Sequence, residues 1–412
     1  MKRIIFLFST VFLFLSIKAQ VMWQISEDTV ITWNYADGDE FNDKKIDTDK
    51  WKYSYGWGRT IFANKEQQYY TEGKNHFLNG RTLILTSKKE KIEARIVDYL
   101  NDNDSIKNND KFYSFNKTSF EYTSGMIQSI KKFNKGYFEC RIKLPKQEGY
   151  WPAFWLYGGT PNEEIDMLEG KTERKNQIHI DTHCPNRCDL VKLFLQKKSY
   201  GGWVKTDYDF TEGFNIIACD WESEKIKFYL NGECIGVANV KFSEEKNLVF
   251  NIAVPSDDGP FHPGPSVKDT TVAKLEIDYV RVWSKDFAGN QNDKSNNKTL
   301  AKNNIEESAP VLVTSKFRSK GKMTYGKKNE HKKQSVFITC MDYENILELY
   351  STGVYEKEQP QITITDDAGM EVFSGTAGKQ IFTISKKTLK SGNYLLSIKI
   401  SGKTVSKKFI VN

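Results

Sequence analysis

Glu164-Ile165-Asp166-Met167-Leu168-Glu169 sets three carboxylates in six residues of otherwise apolar, strand-like sequence. Side chains alternate faces along an extended strand, so Glu164 and Asp166 point the same way. Glu169 lies five positions beyond Glu164, and strict alternation would send it to the opposite face. One extra residue at Met167-Leu168, a β-bulge, returns it to the carboxylate face. On a flat strand the Cα atoms of Glu164 and Glu169 would stand roughly 13 Å apart. Curvature and two long side chains can close that gap. An acidic, solvated turn would carry the same three residues, so the surrounding sequence has to decide.

Two carboxyls about 5–5.5 Å apart let one attack an anomeric carbon while the other protonates the departing oxygen. That chemistry needs one ionised and one protonated group. A third carboxylate between them raises the proton affinity of its neighbours. Upstream lies Gly149-Tyr150-Trp151-Pro152-Ala153-Phe154-Trp155-Leu156. Together the two stretches resemble glycoside hydrolase family 16, whose members carry a W-P-A-F-W segment shortly before E-x-D-x-x-E. The bulged motif is typical of its laminarinase, agarase and carrageenase branches. The resemblance implies Glu164 as nucleophile, Asp166 as auxiliary carboxylate and Glu169 as acid/base, with Trp151 and Trp155 walling the subsites beside the cut bond. It implies no cofactor for catalysis.

The resemblance extends along the chain. Asp39-Glu40-Phe41, Ile46-Asp47 and Trp51 are similar to the family's opening pattern, and Asn64-Lys65-Glu66-Gln67-Gln68-Tyr69-Tyr70-Thr71 to a segment of laminarinase-like members. Asn64 would then hydrogen-bond a sugar hydroxyl; capping a turn is the alternative. Gln177, His179, Asp181 and His183 alternate with apolar residues and share one face of a strand. Family members often have a cleft histidine there, and His183 fits best. Leu275 to Trp283 resembles a closing strand. Some members hold a structural calcium, and Asp278 would be the residue to take part. Two features depart from the laminarinase pattern: Gly170-Lys171 replaces the aromatic after the final Glu, and His183-Cys184-Pro185 replaces a His-aromatic-Gly ending.

The totals fit this reading. A chain of 412 residues with 13% aromatics is long enough for two or three domains and suits sugar binding as well as β-sandwich cores. Met1-Lys2-Arg3, the apolar stretch from Ile4 to Ile17, and Ala19 before Gln20 read as a secretory signal peptide. Cys184 and Cys188 could close a small loop; Cys140 and Cys219 sit in apolar strands and read as buried thiols. No second Cys/His pair has zinc-ligand spacing, so no metal ligands are assigned. The net charge of +7 belongs to the tail: from Lys285 onward there are 21 basic and 13 acidic residues, against 39 and 40 before it. It is no argument for nucleic acid.

We therefore expect an all-β chain: signal peptide over 1–19, a concanavalin-like β-jelly-roll with an open cleft over 20–285, and a flexible Asn/Lys-rich linker over 286–334. A small β-sandwich follows over 335–412. This last segment resembles the C-terminal sorting domain of the type IX secretion system, which implies outer-membrane secretion machinery as partner and a secreted or cell-surface location. A carbohydrate-binding accessory sandwich is the alternative. The expected protein is a monomeric, retaining endo-glycosidase acting on a β-1,3- or β-1,3/1,4-glucan. A marine galactan is the alternative substrate, because Lys171, Arg174, Lys175 and Arg187 follow the motif and could meet sulfates. A carbohydrate-binding protein without catalysis is the other class, disfavoured by the presence of all three carboxylates.

Overall fold

The computed structural model describes residues 20–26, 29–97, 117–159, 163–184, 201–266, 268–285, 335–343, 345–353, 359–376 and 382–411. The expected leader, the linker and the loop around Asn101 to Asn109 lie outside the described residues. The chain forms two compact units: residues 36–335, and a second made from both ends of the chain, 1–35 with 336–412. No α-helix occurs among the described residues.

The larger unit is a jelly-roll sandwich of two sheets. One sheet runs, edge to edge, Gly202–Lys205, Gln177–His183, Glu163–Gly170, Trp151–Gly158, Lys246–Ala253, Met126–Phe133 and Trp51–Lys52. The other carries Glu233–Ala238, Ile226–Leu230, Asn215–Trp221, Gly136–Lys143 and Ala273–Lys285 in that order, then Leu83–Ala94 and Thr118–Ser124. Period-2 alternation places one face of each strand inside. Phe138, Cys140, Ile142, Ile217, Cys219 and Trp221 of one sheet meet Phe154, Leu156, Ile165 and Leu168 of the other in a single core. Each large apolar side chain so enclosed contributes about 1.5–3 kcal/mol. Asn231-Gly232 makes the expected tight turn, with both residues at positive φ (50° and 80°), the conformation that a two-residue hairpin requires.

The smaller unit departs from the boundary read in the sequence. Val21–Ile25 does not lead into the jelly-roll: it lies between Val30–Asn34 on one edge and Val336–Cys340 on the other, antiparallel to both. All five of its residues are buried. Val21, Trp23 and Ile25 join Ile338, Leu349, Ile362, Leu396 and Phe409 in this unit's own core, which also takes in the four-stranded sheet Glu371–Thr376, Gln361–Asp366, Gly392–Ile400, Lys403–Val411. The reason is physical. Val336–Asp342 is buried along its whole length and its edge would otherwise present unpaired backbone. The sandwich at the C-terminus is therefore completed by residues from the start of the chain.

Trp23 is 4% exposed. Trp23→Ala should cost this unit about 3–5 kcal/mol. Calorimetry on the full chain should show the transition of the terminal unit moving down while that of the jelly-roll stays in place. An unmoved pair of transitions would mean that the strand is not part of the sandwich.

Candidate active site

The carboxylate strand Glu163–Gly170 lies between Trp151–Gly158 and Gln177–His183. Its ladder shifts register on both sides: Asp166 opposes Trp155 while Leu168 opposes Phe154, and on the other edge Asp166 opposes Asp181 while Glu169 opposes His179. This is the bulge that the five-residue spacing demanded. Ile165, Met167 and Leu168 all enter the core, and Glu164, Asp166 and Glu169 occupy the opposite face. Each carboxylate then faces a titratable residue across the ladder: Glu164 faces His183, Asp166 faces Asp181, and Glu169 faces His179.

The three acids have different surroundings. Glu169 is 9% exposed and both of its oxygens are engaged: Trp151 Nε1 donates to Oε1 at 3.1 Å, and His179 Nδ1 lies 2.8 Å from Oε2. Asp166 is 2% exposed, with His183 Nε2 3.3 Å from its Oδ2 but off the line of a hydrogen bond. One ligand atom each from Glu164, Asp166 and His183 lie within 4.8 Å of one another, the one such group among the described residues. Burial pushes the Glu164 carboxyl up to about 7; His183 opposes this and the charge of Glu169 adds to it. Burial, then Glu164 and Glu169, hold Asp166 well above the usual carboxylate range. A hydrogen bond between the two carboxyls favours the proton on Asp166 and the charge on Glu164.

The two tryptophans are not open platforms. Trp151 is 8% exposed, with the Phe261 ring parallel to it at 4.3 Å; Trp155 is 6% exposed, and its Nε1 donates to Asn251 Oδ1 at 2.8 Å. Half-exposed rings that the sequence did not single out stand around the same face: Trp57, stacked on Tyr55 at 4.6 Å, together with Tyr157, Trp203 and Phe261. Trp203 lies 5.2 Å from the His179 ring and carries the Arg174 guanidinium 4.6 Å above it. Phe261 comes from a Pro/Gly-rich loop and Trp203 from an edge strand of four residues, so neither has a periodic signal.

Asn64 closes the short 3-10 turn Phe62–Asn64, and its Nδ2 donates to Glu66 Oε1 at 3.2 Å. Gln68 Nε2 donates to the other Glu66 oxygen, and burial pushes the Glu66 carboxyl up to about 7. Lys171 Nζ bonds the carbonyl of His262, Lys175 is exposed, and Arg187 lies outside the described residues. Cys184 is disulfide-bonded, with Cys188 outside the described residues, and Cys140 and Cys219 are buried free thiols. Asp278, where a structural calcium was the expectation, has its Oδ2 2.6 Å from Arg141 Nη1. Gly170, in place of the aromatic, lies close against two side chains. A Cβ there would lie 2.8 Å from Pro152 Cγ and 3.0 Å from Leu144 Cδ1.

A family model described as "Beta-porphyranase A-D, GH16 domain" matches residues 33–285, and one described as "Secretion system C-terminal sorting domain" matches residues 344–412. The chain is 27% identical over 285 residues to a glucan endo-1,3-beta-glucosidase A1 of Niallia circulans, a match that takes in 60% of this chain and 37% of that protein. It thus spans little more than a third of that relative's length. It is 26% identical over 318 residues to a kappa-carrageenase of Pseudoalteromonas carrageenovora, covering 68% of this chain and 72% of that one. The endo-beta-1,3-glucanase structure from Pyrococcus furiosus is 27% identical, with a TM-score of 0.50 over 62% of this chain and 95% of that one. The first family model spans the carboxylate strand, both flanking strands and most of the chain, so the chain belongs to glycoside hydrolase family 16, in the domain family of β-porphyranases A–D.

Proposed function

We propose that the chain is a retaining, endo-acting hydrolase of a β-linked polysaccharide. The observation that carries this reading is the bulged strand that turns Glu164, Asp166 and Glu169 to one face. Glu164 is the nucleophile: its oxygen bonds the anomeric carbon while Glu169 gives its proton to the departing glycosidic oxygen. Asp166 keeps a proton and donates it in a hydrogen bond to Glu164, which offsets part of the rise in proton affinity that burial causes in the nucleophile. Glu169, now a carboxylate, takes a proton from water as the water oxygen displaces Glu164 from the sugar. Trp57, Tyr157, Trp203 and Phe261 supply the ring edges and faces against which pyranose C–H groups pack. The terminal unit delivers the monomeric enzyme through outer-membrane secretion machinery to the cell surface or beyond.

The substrate we favour is a sulfated galactan, a reading supported by the match to a model described as that of β-porphyranases. Arg174, stacked on Trp203 two contacts away from Glu169, sets a guanidinium where a sugar sulfate would be met by a charge-assisted bond. A neutral β-1,3-glucan is the second reading, supported by the glucanase relatives and by the Asn64 to Thr71 segment. Reducing-end release on porphyran, agarose, carrageenan, laminarin and lichenan separates them. Porphyran should be cleaved fastest, with KM rising roughly threefold or more between low and moderate salt. Arg174→Ala should raise that KM about tenfold, as loss of one charge-assisted bond does. Cleavage of laminarin with a salt-independent KM, unchanged in Arg174→Ala, would replace the galactan with the glucan.

A further inference from the structure

His179 bears on the acid/base group itself. In its carboxylate form Glu169 only accepts hydrogen bonds, and Nδ1 then carries the hydrogen in the 2.8 Å contact to Oε2. Trp151 Nε1–H fills the same role at Oε1. The imidazole cannot swing away, because Trp203 and Phe261 flank its ring at 5.2 and 6.0 Å. Those two rings hold His179, Trp151 holds Phe261 by stacking, and Trp151 closes the circuit on Glu169. We propose that His179 is a positioning residue for the acid/base: with Trp151 it clamps the plane of the Glu169 carboxyl and steadies the carboxylate formed when the proton leaves. This rests on Glu169 being the acid/base.

Two N–H donors aimed at the two Glu169 oxygens fix the orientation of the carboxyl and stand ready for the carboxylate. As the glycosidic C–O bond breaks, its electron pair stays on the leaving oxygen, which takes the Glu169 proton. The carboxylate left behind already has both donors in place, so no rearrangement is needed before it takes a proton from water. The charged or titratable groups facing the His179 ring are Glu169 from the neighbouring strand, Asp181 on its own strand, and Arg174 across Trp203. Burial opposes a charge on His179, yet the Glu169 bond and Asp181 outweigh it and raise its affinity for a proton. The ring is thus secured as a donor, and more strongly so toward acid pH.

The experiment uses three full-length variants. His179→Phe keeps the ring between Trp203 and Phe261 and removes the N–H, His179→Gln restores a donor, and Glu169→Ala reports on the acid/base assignment. Each is assayed for kcat/KM on the polysaccharide and on an aryl glycoside whose phenol leaves without protonation. His179→Phe should lose about ten- to a hundredfold on the polysaccharide, the cost of one hydrogen bond to a charged group. On the aryl glycoside it should stay within about threefold of the parent. His179→Gln should recover most of the loss. Equal losses on both substrates, or no recovery in His179→Gln, would overturn the positioning role. If Glu169→Ala itself cleaves the polysaccharide at full rate, the acid/base assignment falls and the clamp with it. If Glu169→Ala spares only the aryl glycoside while His179→Phe matches the parent on both, the clamp alone is wrong.

Discussion

Glu164→Gln should stop turnover, with kcat down by about a thousandfold or more, because the amide keeps the shape of the side chain and cannot form the glycosyl ester. Reducing-end release checks the rate, and retention of more than about a tenth of the parent activity would sink the assignment. The same variant carries a second signature in stability. The Glu164 carboxyl is raised by burial from its ordinary 4.5 to about 7, so between those values the folded state binds more protons than the unfolded one. Stability therefore falls as pH rises through that window. The amide has no proton to lose. Melting temperatures of the parent should decline between pH 5 and pH 8, and those of Glu164→Gln should decline less. Parallel declines in the two proteins would mean that Glu164 does not titrate in this range.

Glu169→Ala should fail differently. Protonation of the leaving oxygen contributes about a hundred- to ten-thousandfold, so the polysaccharide, a poor leaving group, should be lost at that scale. Aryl glycosides with acidic phenols should still form the glycosyl-enzyme, which then accumulates because no base activates water. Azide, which needs no base, should restore turnover and yield a β-glycosyl azide with the configuration of the substrate. An α-azide would show inversion and remove the double-displacement mechanism. No rescue, together with equal loss on both substrates, would remove Glu169 from the acid/base role.

How much of this was legible before the fold was known follows from the range of each signal. The bulge was readable, because a five-residue spacing between two glutamates on a strand with an apolar opposite face admits no regular ladder. The polar face of Gln177–His183 was readable by the same alternation. What alternation cannot give is which member of a face lies opposite which neighbour. His183 drew attention, but the register shift brings His179 onto Glu169. The buried state of Trp151 and Trp155 was hidden as well, since an aromatic beside a catalytic strand reads alike whether a sugar or Phe261 covers its face. Long-range pairing was beyond reach: nothing local in Val21-Met22-Trp23-Gln24-Ile25 says that its partner is Val336 to Cys340. Proximity in sequence alone places that segment with the jelly-roll that follows it.

That pairing makes the jelly-roll an insertion between two strands of the terminal unit. The catalytic segment is thus a loop closed at its base by the antiparallel ladder from Val21–Ile25 to Val336–Cys340. Tension applied between residues 21 and 411 is borne by the terminal unit first, and the jelly-roll carries no load while that ladder holds. Anything that tugs on the C-terminal strands and unravels them also strips one edge of Val21–Ile25 and uncovers Trp23, while Val30–Asn34 holds the other edge. The unit at the end of the chain is in this sense a mechanical fuse for the catalytic one: it fails before the jelly-roll is loaded, and its failure leaves an apolar strand in view.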